Sequence, residues 1–170
     1  MTAAAEPTVH IVLVAPEIPP NTGSAGRLAL ATGARLHLVR PLGFSIEDKA
    51  VRRAGLDYWK KVDLQVHDDL EGCLRSIGAA PERCFYLSTH ARRAYTAVAY
   101  QPGDVLLFGR ETRGLGAELV GAAGDQALLV PFFGEVRSLN LSTTVGIVVY
   151  EALRQIRPDD FPGPSQLEAL

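Results

Sequence analysis

The feature that most constrains this chain is a series of short, largely apolar runs, several closed by proline, with helix-compatible segments between them. Val9 to Ala15 stops at Pro16, Arg35 to Val39 is followed by Pro41, and Ala127 to Val130 ends at Pro131. Cys84 to Leu87 and Asp104 to Phe108 are two more, while Val62 to Val66 alternates apolar with polar residues. Strands covered on both faces are apolar throughout, and successive parallel strands need a crossover, usually a helix. The expected fold is therefore a single α/β domain with a mostly parallel sheet flanked by helices.

The clearest helix is the last. Val145, Val148, Val149, Ala152, Leu153 and Ile156 fall at i, i+3, i+4, i+7, i+8 and i+11, which makes one continuous apolar stripe. Pro19 to Gly23 is expected to turn, with a helix from Ser24 to Thr32 stopped by Gly33. Ile46 to Ala54 resembles a short helix, and Asp68-Asp69 opens another that runs to about Ile77. Residues 1–8 are expected to be a flexible tail, 9–157 the domain, and the Pro-rich stretch 158–170 a loose tail. No internal repeat or second domain is expected.

With 17 Lys and Arg against 19 Asp and Glu, the net charge of −2 gives no global field for nucleic acid. Any binding to nucleic acid would have to come from local basic groups: Arg52-Arg53, Lys60-Lys61, Arg92-Arg93, and Arg110 with Arg113. Cys73 and Cys84 are too few and too far apart for a disulfide framework or a zinc signature. His10, His37, His67 and His90 show no ligand spacing, so no metal is expected. No apolar stretch approaches the about 20 residues of a membrane span. The first residues lack the features of a signal peptide, so no membrane and a cytoplasmic location are expected.

Three stretches carry chemistry. Asn21-Thr-Gly-Ser-Ala-Gly-Arg27 follows the first strand, where open α/β sheets place their ligands. Asn21 can serve as a helix N-cap, and the glycines do not make a dinucleotide fingerprint. Phe108-Gly-Arg-Glu-Thr-Arg-Gly-Leu115 follows a later strand. Its glycines at 109 and 114 suit a shaped loop better than a helix, with Glu111 held by backbone N–H groups or capping the next helix. Before the last helix, Ser138, Asn140 and Ser142 offer three candidate caps where one is needed, with Arg137 beside them. The surplus suits a polar ligand at a helix N-terminus.

In this order the three stretches resemble the SPOUT methyltransferases, with N-x-G-x-x-x-R at Asn21, Gly23 and Arg27. G-x-E-x-x-G follows at Gly109, Glu111 and Gly114, and S-L-N-L-S at Ser138 to Ser142. The chain is most similar to one branch, the tRNA (cytidine/uridine) 2′-O-methyltransferases of the wobble nucleotide. That likeness lies in Pro16 to Gly23, Arg35 to His37, Arg52 to Tyr58 and Val149 to Ala152. The resemblance covers about residues 9 to 156.

The resemblance implies a C-terminal deep trefoil knot and a homodimer whose RNA sites are shared between subunits. It also implies S-adenosyl-L-methionine as cofactor and a tRNA anticodon stem-loop as partner. Cofactor contacts would fall on Leu87, Gly109, Val130 and Ser138. Arg27, Glu111, Asn140 and Ser142 would be catalytic, and Arg52, Arg53 and Tyr150 would bind RNA. Arg110 and the segment His90-Ala-Arg-Arg93 depart from relatives, which bears on substrate choice more than on methyl transfer.

The implied reaction is in-line attack of a ribose 2′-hydroxyl on the sulfonium methyl, so positioning and removal of one proton are the main tasks. A guanidinium is a poor base, so Arg27 is expected to stabilise the developing alkoxide and hold a phosphate. Tyr58, Trp59, Tyr95 and Tyr150 are candidate base-stacking partners, with core or interface packing as the competing role. Rival readings are another RNA, such as ribosomal RNA, a base nitrogen as target, and a non-catalytic RNA-binding or assembly factor.

Overall fold

A computed structural model of the chain describes residues 6–46, 51 and 56–161. Among these residues seven strands form one sheet: β1 (His10–Val14), β2 (Arg35–Val39), β3 (Leu64–His67), β4 (Cys84–Leu87), β5 (Arg93–Ala94), β6 (Val105–Phe108) and β7 (Ala127–Leu129). Their order is β3-β2-β1-β6-β4-β7-β5, and the pairings within the sheet are parallel. The mostly parallel α/β sheet expected from the apolar runs is thus present. The centre of the sheet, β1 and β6, is also where the sequence is most continuously apolar, because it is covered on both faces.

Among the described residues, four α-helices cover the sheet: α1 (Pro19–Thr32), α2 (Leu70–Ile77), α3 (Ala117–Ala123) and α4 (Leu141–Ile156). On one face Ile11, Leu13, Leu36, Leu38, Leu106 and Phe108 meet α1 and α4, which also pack on each other. The α4 stripe behaves as its spacing predicts: Val145, Val148, Val149 and Ala152 are fully buried. On the other face Val12, Val39, Val105 and Leu107 form a smaller core with Cys73 of α2. Fully burying each such aliphatic side chain contributes roughly 1.5–3 kcal/mol.

Three expectations change. The helix expected from Ser24 begins at Pro19, so Asn21, Thr22 and Gly23 are helical and buried rather than in a turn. Proline at the first helical position loses no hydrogen bond and its fixed φ suits the helix, so two prolines here start an element instead of breaking one. Ile18 is the N-cap residue and Asn21 is not, which frees the Asn21 amide for other partners. The strand expected at Val62 to Val66 lies at Leu64–His67, behind a 3₁₀ segment, Leu56–Lys61.

Gly33 ends α1 with φ 71° as expected, and Asp69 caps α2 by accepting from the Gly72 N–H at 2.7 Å. Strand β5 and helix α3 lack a sequence signal strong enough to place them. Apart from Ile46 and Val51, the helix expected over Ile46 to Ala54 lies outside the described residues, and Arg52 and Arg53 with it. Residues 158–160 make a 3₁₀ turn, after which the Phe161 ring meets Tyr150 edge-on.

Candidate active site

Strands β6, β4 and β7 are neighbours in the sheet, so their C-terminal ends open side by side. Leu87 ends β4, Gly109 follows β6, and Val130 follows β7. All three line a cavity of about 750 Å³, together with the loop that leads into α4. That volume lies in the ordinary range for small-molecule and cofactor sites. Ser138, Asn140, Glu111 and Asn21 line it as well.

The loop after β6 is shaped by its glycines. Arg110 and Gly114 form an antiparallel bridge, the Gly114 N–H donating to the Arg110 carbonyl at 2.8 Å. A Cβ at Gly109 would lie 1.9 Å from the Gly114 carbonyl carbon, so no other residue fits without opening the loop. Gly114 adopts φ +62°, in the left-handed region that glycine enters without steric cost.

This loop aims Glu111 at the start of α1. Its carboxylate accepts from the backbone N–H of Glu17 at 2.8 Å and of Ile18 at 3.2 Å. Glu111 therefore serves an N-terminus 93 residues away, not that of the following helix, where Gly116 is the N-cap. An anionic group is favourable there because the first N–H groups of a helix lack intrahelical partners. Glu17 returns the contact, its carboxylate accepting from the Thr112 N–H at 3.1 Å and from Thr112 Oγ1 at 2.8 Å.

Asn21 joins this clasp to the third motif. Its Nδ2 donates to Glu111 Oε1 at 3.0 Å, and its Oδ1 accepts from Asn140 Nδ2 at 3.0 Å. Asn140 is the N-cap of α4: its Oδ1 accepts from the Thr143 N–H at 3.2 Å and from Ser142 Oγ at 2.7 Å. Among the three candidate caps, Asn140 takes the role. Glu111, Asn21, Asn140 and Ser142 thus form one hydrogen-bonded chain through all three motifs.

The remaining candidates lie elsewhere. Arg27 is exposed on α1, outside the cavity lining, with its guanidinium 5.9 Å from the centre of the Tyr58 ring. Tyr150 is exposed on α4 and also outside the lining. Trp59 packs so closely on α1 that a Cβ at Gly26 would lie 2.5 Å from its ring. It is partly buried against the core, the packing role named for it above. Tyr95 likewise packs on the core, and its carbonyl accepts from Tyr100 Oη at 2.8 Å. The sequence did not single out Glu17, Thr112 or the cavity-lining Ser88 and Thr89; their role depends on pairings far along the chain.

A parallel α/β sheet with a cavity at its strand ends, rimmed by loops that hold Glu111 and Asn140, is the arrangement of a ligand-binding α/β protein. The chain belongs to the SpoU rRNA Methylase family, whose model matches residues 8–150. The tRNA (cytidine(34)-2′-O)-methyltransferase of Yersinia pestis is 47% identical over 159 residues, covering 91% of this chain and 96% of that protein. A solved structure concerned with 2-OH methylation of C/U34 on tRNA superposes with a TM-score of 0.79. It is 44% identical, covering 86% of this chain and 95% of that one. An AdoMet-bound rRNA methyltransferase from Sinorhizobium meliloti has a TM-score of 0.77 at 27% identity, covering 89% of this chain and 57% of its own.

Proposed function

We propose that this chain transfers the methyl group of S-adenosyl-L-methionine to the ribose 2′-hydroxyl of nucleotide 34, a cytidine or 5-modified uridine, in tRNA anticodon loops. The observation that carries the reading is the chain from Glu111 through Asn21 to Asn140 at the rim of the strand-end cavity. Near-full-length similarity to tRNA (cytidine(34)-2′-O)-methyltransferases supports the substrate.

The residues around the cavity suit the cofactor. Leu87, Leu129 and Val130 offer apolar contact for an adenine, while the Gly109 loop brings backbone close to the ligand without a side chain between. Ser138 and Arg137 add polar groups near the start of α4. The bound sulfonium supplies a methyl group activated by positive charge. Glu111, Asn21, Asn140 and Ser142 hold the three loops in register, a positional demand that methyl transfer makes severe.

Arg27 stabilises the negative charge that develops on the 2′-oxygen as its proton passes to solvent, and grips a phosphate beside it. Its position outside its own chain's cavity supports a homodimer in which each RNA site draws on both subunits. Arg52, Arg53 and Tyr150 are assigned to RNA contact, and the working compartment is the cytoplasm. No helix among the described residues is long and apolar enough to cross a membrane.

The test is methylation of total tRNA and ribosomal RNA with labelled cofactor, followed by nucleoside mapping. Label on the 2′-oxygen of nucleotide 34 is the expected result. Label confined to ribosomal RNA refutes the substrate and leaves the family intact.

A further inference from the structure

On the α2 face of the sheet, three strands each contribute one histidine. His10 lies opposite Arg35, His37 opposite Val12, and His67 opposite Val39. His10, His37 and His67 therefore run diagonally across β1, β2 and β3 on one face. His10 Nδ1 and His37 Nε2 are 2.9 Å apart, and so are His37 Nδ1 and His67 Nε2. Cys73 of α2 comes down on this row: one nitrogen each from His37 and His67 and the Cys73 sulfur all lie within 4.8 Å of one another.

We propose that His37, His67 and Cys73 form a site for a borderline-soft divalent cation of the zinc type, with His10 orienting His37. Two imidazoles and a thiolate, without a carboxylate, select against hard ions such as magnesium or calcium. Three protein ligands leave a fourth tetrahedral position for water. His37 and Cys73 are 1% and 0% exposed, whereas His67 is only partly covered on the edge strand β3 and gives the ion its way in.

The protonation pattern closes. In the tautomer that suits a metal ligand, the His37 Nε2–H donates to His10 Nδ1, which leaves the His37 Nδ1 lone pair pointing at His67. On binding, His67 carries its proton on Nδ1 and presents Nε2, and the Cys73 thiol gives its proton to solvent. Nitrogens bound tetrahedrally at zinc distances sit somewhat farther apart than these two, so the rings separate by roughly half an ångström. The hydrogen bond to His10 is the kind of outer contact that fixes the tautomer of a ligand histidine. The ion would staple the sheet edge, β2 and β3, to α2. None of these residues lines the strand-end cavity, so the site is independent of methyl transfer.

The test uses the full chain, stripped with a chelator and titrated with Co²⁺ and then with competing Zn²⁺. One Co²⁺ per chain with a thiolate charge-transfer band is expected, together with a melting temperature that rises with Zn²⁺ concentration. Cys73→Ala abolishes the band, His67→Asn weakens binding at least tenfold, and His10→Gln weakens it by about 10-fold. Cys84→Ala, at the neighbouring buried thiol, keeps both band and affinity. His67→Asn lies at the sheet edge, so it remains informative if Cys73→Ala folds poorly. Absence of saturable binding at micromolar metal overturns the proposal, as does binding that both Cys73→Ala and His67→Asn leave unchanged.

Discussion

The side-chain amide of Asn140 donates to the amide oxygen of Asn21 at 3.0 Å, across 119 residues of sequence. Asn21 in turn donates to Glu111, so its amide has one orientation that satisfies both neighbours. It is 6% exposed, and water is poorly placed to replace either partner. Asn21→Ala is expected to cost about 1–3 kcal/mol in urea denaturation, the range for stranding buried polar partners. Asn21→Asp should cost more, because it sets a second carboxylate against Glu111. Turnover should fall in the same order, and an Asn21→Asp enzyme as stable and active as the parent would refute this account.

Gly109 makes a sharper prediction about the loop proposed to hold the cofactor. A methyl group there collides with the Gly114 backbone at 1.9 Å, so Gly109→Ala must open the Arg110–Gly114 bridge. Calorimetry with S-adenosyl-L-methionine should show affinity reduced at least tenfold. Gly121→Ala is the control: a Cβ there meets nothing within 4 Å, and alanine inside α3 should add roughly 0.5–1 kcal/mol of stability.

Where the fold was legible in sequence, local physics decided it. The stripe from Val145 to Ile156 sets α4, and apolar runs set β1, β4 and β6, because each pattern matches the period of its own element. Pro19-Pro20 misled because proline starts a helix as readily as it ends one, and only the preceding chain geometry decides. Glu111 was legible as a carboxylate held by backbone N–H groups but not in its destination, since the α1 N-terminus it serves is brought near by sheet order alone. The histidines taught the same lesson. His10, His37 and His67 stand 27 and 30 residues apart, so spacing along one element suggested no ligands, and strand register placed them in a row.

The pair Arg83–Asp104 predicts a large loss of stability away from the cavity. The Asp104 side chain is 1% exposed and accepts from Arg83 Nε at 2.7 Å, from Arg83 Nη2 and from the Gln101 N–H at 2.8 Å. Arg83→Met leaves that carboxylate buried without its counter-ion, at a cost of about 3–5 kcal/mol. Arg83→Met combined with Asp104→Asn should recover part of the loss, because no charge is then stranded. Chemical denaturation of the three proteins checks the order.

Glu151 gives a pH signature. The hydrogen bond from Arg154 holds its carboxyl below the ordinary 4.5, Gln155 assists, and burial opposes. A depressed folded-state value means the unfolded chain binds the proton more readily, so stability falls as pH drops. The contribution is fully present above about pH 4.5 and is lost as pH falls through the lower folded value. Arg154 is exposed, so the effect is small. The stability difference between the parent and Glu151→Gln should be constant at neutral pH and narrow below 4.5. A difference that widens in acid would contradict the assignment.

Arg27 separates binding from chemistry. It is exposed and does not line the cavity, so its removal should leave S-adenosyl-L-methionine affinity within about twofold. Turnover is another matter if the guanidinium meets the developing alkoxide, since one lost donor of that kind costs about 100-fold or more. Arg27→Lys keeps the charge but not the fork that grips a phosphate through two parallel N–H groups, so it should lose most turnover as well. Because Arg27 also lies over the Tyr58 ring, Tyr58→Leu serves as a control for simple loss of side-chain support. It should reduce turnover far less than Arg27→Ala. Near-normal turnover in Arg27→Ala would remove the arginine from the reaction and leave the Glu111–Asn21–Asn140 chain to account for catalysis alone.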